Sequence, residues 1–198
     1  MTTHVLYLHG FRSSPQSAKS QQTRAWLAAH RPDVHWWSPQ LSTSPAEVMA
    51  MLQAGVAGWP RETMAVVGSS LGGFFATVLA ESLGCRAVVL NPAVNPARDL
   101  APYIGRQPLF HDPEQFIDVQ PSFADELRAM TPTALADPGR YFAVIAKGDE
   151  VLDWREMHAR YTGARIKLLE GGEHALEDYE AQHLPDVVRF LGLGLGLG

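Results

Sequence analysis

Short apolar, β-branched runs alternate along this chain with longer stretches whose apolar positions recur at helical spacing. The runs fall at residues 5–8, 34–37, 63–67, 86–90, 141–146 and 165–169, and nearly all end at glycine, asparagine or proline. That punctuation, the length of each run and the lack of strict alternation predict strands buried on both faces. Between them, residues 17–30 place Ala18, Ala25, Trp26, Leu27 and Ala29 on one helical face before Pro32 stops the pattern. Ser44-Pro45-Ala46-Glu47 reads as a helix start, with Ser44 as N-cap, Pro45 at the first helical position and Glu47 at the third. Residues 71–83 form a further helix closed by Gly84, Asp153 caps one running to Tyr161, and a last one spans about 174–190, interrupted by Pro185.

This strand-helix repeat predicts an α/β fold in three layers. A mostly parallel sheet of about six strands lies between helices. Right-handed crossovers and the order of the runs suggest the arrangement 2-1-3-4-5-6. The exception is the stretch 95–140, which holds Pro96, Pro102, Pro108, Pro113, Pro121, Pro132 and Pro138. Structureless loops of that length are uncommon, so short helices are expected there, 122–130 among them, folded over the sheet edge as a cap. The alternating glycines and leucines of 192–198 read as a frayed tail. One domain over 1–198 fits a chain of this length.

Charge narrows the partners. A formal charge of -5 and the absence of any basic run disfavour a nucleic-acid surface. No apolar run approaches the roughly 20 residues of a membrane span. The N-terminus enters a strand directly and has no signal-peptide pattern. Cys85 is the only cysteine, which excludes an internal disulfide and points to a cytoplasmic protein. Its own expected role is packing.

The strongest chemical signal is Gly68-Ser69-Ser70-Leu71-Gly72, set between a predicted strand and a predicted helix. In a nucleophile elbow the serine occupies a sharp strained turn that lifts its hydroxyl clear of the backbone, and glycines on either side relieve crowding. A P-loop would need Lys-Ser/Thr where Gly73-Phe74 follows, and the dinucleotide fingerprint has different glycine spacing. Ser70 is therefore the candidate nucleophile, and Ser69 is structural.

A serine hydroxyl needs a base. Eight histidines compete. His174, just past the sixth strand in Gly171-Gly172-Glu173-His174, stands where the base of such a fold falls, with the acid on the loop before it. His183 and His158 lie within predicted helices, His111 lies in the cap, and His4, His30 and His35 have no supporting context. Asp149 follows the fifth strand directly and is the favoured acid; Asp153 is better placed as a helix cap, and Glu150 is a third carboxylate nearby. The oxyanion donors expected are the backbone N–H groups of Leu71, next after the nucleophile, and of Phe11, in the His9-Gly10-Phe11-Arg12 loop. The His9 side chain is expected to steady that loop. Phe74, Phe75, Tyr103, Phe110 and Trp154 could wall a pocket, with ordinary core packing as the competing explanation. No metal or organic cofactor is required.

Read together, Tyr7-Leu8-His9-Gly10-Phe11, Gly68-Ser69-Ser70-Leu71-Gly72-Gly73, Leu90-Asn91-Pro92-Ala93-Val94, Gly148-Asp149-Glu150-Val151-Leu152-Asp153 and Gly171-Gly172-Glu173-His174 resemble the small bacterial YqiA/YcfP-type esterases of the α/β-hydrolase superfamily. The resemblance runs in matching order along nearly the whole chain. It implies a carboxylic-ester or thioester hydrolase with Ser70, Asp149 and His174 in the three triad positions. The expected partner is thus a small acyl ester or thioester, cleaved through an acyl-enzyme. A binding protein on the same scaffold and an acyltransferase are the alternatives, since one superfold carries many chemistries. Oligomeric state is not legible.

Overall fold

Side chains of successive strand residues point to opposite faces, so a strand covered on both sides must be apolar at every position. The central strands obey this rule. The computed structural model describes residues 1–194 and contains a six-stranded parallel sheet. Its strands are β1 (His4–Leu8), β2 (His35–Trp37), β3 (Met64–Ser69), β4 (Arg86–Leu90), β7 (Tyr141–Ala146) and β8 (Arg165–Leu169). A two-stranded antiparallel ribbon, β5 (Gly105–Pro108) and β6 (Phe116–Val119), stands apart from it. The spatial order β2-β1-β3-β4-β7-β8 is the predicted 2-1-3-4-5-6 of the six sheet strands.

Each face of the sheet carries its own core. Leu6, Leu8, Val66, Val89, Ala143 and Ile145 face the side covered by α2 (Pro45–Gly55), α3 (Leu71–Leu83), α5 (Phe123–Met130) and α6 (Trp154–Arg160). Val5, Tyr7, Val67, Val88, Phe142 and Val144 face α1 (Ala18–His30), α7 (Tyr179–Gln182) and α8 (Leu184–Phe190). All but the edge strands are buried almost end to end, so burial at roughly 25 cal/mol per Å² dominates the stability of the central layer.

The local signals act as their chemistry requires. Ser44 Oγ accepts from the Glu47 N–H, with Pro45 in the first turn of α2. Gly84, at φ 74°, closes α3 in the left-handed conformation. The segment 95–140 contains α4 (Pro96–Asp99), a 3-10 turn at Ala101–Tyr103, the β5–β6 ribbon and α5. Leu127 anchors α5 in the main core with no exposed surface. Glu126 ties α5 to the start of α2, accepting from Ser44 Oγ and the Ala46 N–H.

The last helix departs from expectation. It begins at Tyr179, not at about His174, and is interrupted at His183, which leaves Pro185 in the first turn of the second piece, α8. Leu176, buried at φ 49°, accounts for the late start, because a left-handed residue cannot continue a right-handed turn. Of the glycine-leucine stretch 192–198, Leu193 is buried against the α8 side and donates its N–H to the Val188 carbonyl. Residues 195–198 of that stretch lie outside the described residues.

Candidate active site

Parallel strands release their loops at one sheet edge, and the chemistry-bearing residues gather at the carboxyl ends of β1, β3, β4, β7 and β8. Ser70 joins β3 to α3 at φ 54° and ψ −121°, a sparsely populated conformation for a residue with a Cβ. The turn survives because it is held from several sides. The Ser70 N–H donates to the Leu90 carbonyl at 3.0 Å, and the Ser70 carbonyl accepts from the N–H groups of Ala93 and Gly73. A Cβ on Gly72 would overlap the Leu8 and His9 carbonyls, and one on Gly68 would overlap the Gly72 carbonyl. Both glycines are thus demanded by close backbone approach.

His174 lies between the serine and the acid. Its Nε2 is 3.0 Å from Ser70 Oγ and its Nδ1 is 2.7 Å from Asp149 Oδ2. A carboxylate can only accept, so Nδ1–H donates to Asp149 and Nε2 is left to accept from the serine hydroxyl. The Asp149 side chain is fully buried and its second oxygen accepts the N–H groups of Val151 and Leu152, both at 2.8 Å. Those bonds fix the rotamer of the acid.

The neighbouring carboxylates have other partners. Asp153 caps α6, accepting the Arg155 N–H at 2.9 Å. Glu150 reaches the His174 loop, where its Oε2 accepts the His174 N–H at 3.0 Å. Asp153→Ala is expected to cost about 1 kcal/mol of stability, the usual price of a lost N-cap. The variant should keep any turnover that depends on Ser70 within a few-fold of the parent, and a loss comparable to that of an Asp149 variant would move the acid role to Asp153.

The loop after β1 forms the opposite wall. Phe11 and Leu71 line a cleft of about 170 Å³ together with Ser70 and His174, and neither backbone N–H donates to a protein acceptor among the described residues. The remaining lining is largely apolar, from Ala93, Leu100, Tyr103, Phe110 and Leu152. Tyr103 and Phe110 therefore wall the cleft, whereas Phe74 and Phe75 are buried in the core and Trp154 packs against it. Arg12, at φ 59°, ties this loop to the ribbon: its Nε donates to the Pro108 carbonyl, its carbonyl accepts the Phe110 N–H, and its guanidinium stacks on the Phe110 ring at 4.3 Å.

His9 is buried behind the loop. Nδ1–H donates to the Gly10 carbonyl at 2.9 Å and Nε2 accepts the Leu41 N–H at 3.1 Å, a pairing that only the neutral ring can make. Burial lowers its pKa to about 4, against 6.5 for an exposed imidazole, with a smaller push in the same direction from His111. The unfolded chain therefore takes up this proton at a higher pH than the folded one. The contribution of His9 is complete above pH 6.5 and is lost as the pH falls toward 4, on the order of 3 kcal/mol in all. Urea unfolding at pH 7 and pH 4.5 checks this, with His9→Gln expected to lose less stability on acidification than the parent.

Two of these roles carried no sequence signal of their own. Glu150 was one carboxylate among three, and its use as a clasp depends on the return of a loop 24 residues away. Asn91 marked only the end of a strand, yet its side chain bonds three backbone groups, one at the end of β7 and two in the His174 loop.

A model of the uncharacterised protein family UPF0227 matches residues 4–192. A UPF0227 protein of Yersinia pseudotuberculosis is 25% identical over 197 residues, covering 96% of this chain and 99% of its own length. Among solved structures, α/β hydrolase domain-containing protein 10 from mouse superposes with a TM-score of 0.70 at 12% identity, covering 95% of this chain and 87% of that one. A pyrethroid hydrolase from Sphingobium faniae gives 0.65 at 14% identity over 97% and 98%. Est1E from Butyrivibrio proteoclasticus, with ferulic acid bound, gives 0.63 at 13% over 95% and 86%. These likenesses establish the α/β-hydrolase fold.

Proposed function

Because the chain belongs to the UPF0227 family and has the α/β-hydrolase fold, we propose from the chemistry of its site that it is a serine hydrolase of carboxylic esters. The observation that carries this reading is the continuous contact Ser70–His174–Asp149, at 3.0 and 2.7 Å, on a strained turn at the floor of an apolar cleft. The pyrethroid hydrolase among its structural neighbours, and the ferulic acid bound to Est1E, add support for ester cleavage.

In the proposed cycle Ser70 Oγ attacks the ester carbonyl carbon while His174 Nε2 takes the hydroxyl proton. Asp149 holds the imidazole in the required tautomer and stabilises the imidazolium. The carbonyl oxygen becomes an oxyanion, received by the N–H groups of Phe11 and Leu71, the latter at the positive end of α3. The tetrahedral centre collapses, the alcohol departs with the proton from His174, and an acyl-serine remains. Water, deprotonated by His174, then attacks that acyl group, and the acid leaves as Ser70 regains its proton. No step calls on a metal or an organic cofactor.

The segment 95–140 acts as the cap of a single domain, since α4, Tyr103 and Phe110 complete the cleft above Ser70. A cleft of about 170 Å³ favours a short acyl ester, with acyl thioesters as the second substrate class. Turnover of butyryl and palmitoyl p-nitrophenyl esters beside an acyl-CoA separates these possibilities.

The test of the reaction class is labelling by a fluorophosphonate probe, followed by peptide mass mapping. A single adduct on the peptide containing Ser70 is expected. A folded protein that acquires no adduct there overturns the proposal.

A further inference from the structure

The protein contains a buried amide that joins the end of β7, the strand before the candidate acid, to the loop on which the candidate base stands. Asn91 follows β4 directly, has no exposed surface and adopts φ 40°. Its Oδ1 accepts the Ala146 N–H at 2.8 Å, at the end of the strand that delivers Asp149 three residues later. Its Nδ2 donates to the Glu173 carbonyl at 3.1 Å and to the His174 carbonyl at 3.2 Å. The Asn91 N–H in turn donates to the Val144 carbonyl, so backbone and side chain grip the same strand.

We propose that Asn91 is a positioning residue that sets the His174 loop against the end of β7, holding the imidazole in register with Asp149 and Ser70. The assignment rests on the hydrolase reading above. It follows from the residue type. Asparagine tolerates the left-handed region better than other residues with a side chain, and its short amide supplies an acceptor and two donors together. Aspartate would keep the backbone and the acceptor but would turn a negative oxygen toward two carbonyls. Glycine would keep only the backbone. Leu176, two residues past His174, buries the far end of the loop in the core, whereas the other side-chain hydrogen bonds that reach the loop's backbone from outside it, with Glu150 accepting the His174 N–H and Lys19 donating to the Ala175 carbonyl, lie at the surface. Asn91 is the buried polar anchor.

The test compares Asn91→Asp and Asn91→Ala with the parent protein, using a p-nitrophenyl ester for turnover and proton NMR for the imidazole. A displacement of about 1 Å in a reacting group costs on the order of 100-fold. Both variants should therefore lose about that factor in kcat, with KM within about three-fold of the parent. The parent should show a downfield His174 Nδ1 proton, identified by its absence from His174→Gln, and the folded Asn91 variants should lose or shift it. Folded variants that keep kcat within three-fold, lose activity only through KM, or leave that proton unmoved would overturn the proposal. Unfolding of both variants would also overturn it, because the assignment gives Asn91 to the loop and not to the fold. The NMR arm needs no turnover. A parent protein that neither turns over nor labels at Ser70 would thus refute the hydrolase reading while the dependence of the His174 proton on Asn91 is still read.

Discussion

Ser70→Ala is expected to lower ester turnover by on the order of 10⁵-fold while leaving the protein folded. The hydroxyl is the atom proposed to form the covalent bond, and the other serine of the turn, Ser69, belongs to β3 and is buried. Alanine retains the Cβ, so the backbone at φ 54° is no more strained than before. The only side-chain bond removed is the one to His174 Nε2, worth about 1 kcal/mol at a partly buried site. Chemical unfolding should therefore show a change of that size or less, and steady-state kinetics with a chromogenic ester should show activity near background. A variant keeping a tenth of parental turnover would exclude Ser70 as nucleophile.

The second large effect is expected at the acid. Asp149→Asn should reduce kcat by about 10⁴-fold, by an electronic route rather than a steric one. The asparagine carbonyl would continue to receive the Val151 and Leu152 N–H groups, which leaves its NH₂ directed at His174 Nδ1. That nitrogen must then accept. The proton moves to Nε2, where it faces Ser70 Oγ and removes the base from the reaction. Loss of kcat with binding largely preserved is the signature, and retention of more than a tenth of kcat would show that the carboxylate charge is not required.

The central sheet was legible in the chain because parallel strands covered on both faces must be apolar throughout, and their ends are marked by the residues that make the loops. Val66 and Val67 followed by Gly68 illustrate it: continuous burial, then a position where no side chain fits. The same logic pointed to Asp149 and His174, since each stands on the loop that leaves a recognisable strand, β7 and β8 respectively. The β5–β6 ribbon was hidden for the opposite reason. Gly105, Arg106, Gln107 and Pro108 carry no apolar alternation, and the ribbon is held largely by its own pairing and by Arg12, 96 residues away from Pro108. Asn91 was hidden because Asn-Pro after a strand is ordinary punctuation. Its bonds to residues 173 and 174 exist only once β4 lies beside β7. The start of the last helix was misplaced because periodicity does not reveal a left-handed residue such as Leu176.

The way the site is divided among strands also has a kinetic consequence. Ser70 and His174 are 104 residues apart, and the sheet strands between them, β4, β7 and β8, all pair in parallel, each needing a crossover before it can add to the sheet. Such non-local pairing makes folding slow, because each loop must close before its contacts contribute. No fragment containing only β1 to β4 holds the acid or the base. During refolding, regain of the proposed esterase activity should therefore trail the recovery of helical signal and coincide with docking of β7 and β8, so that such an assay counts only molecules whose whole sheet has closed.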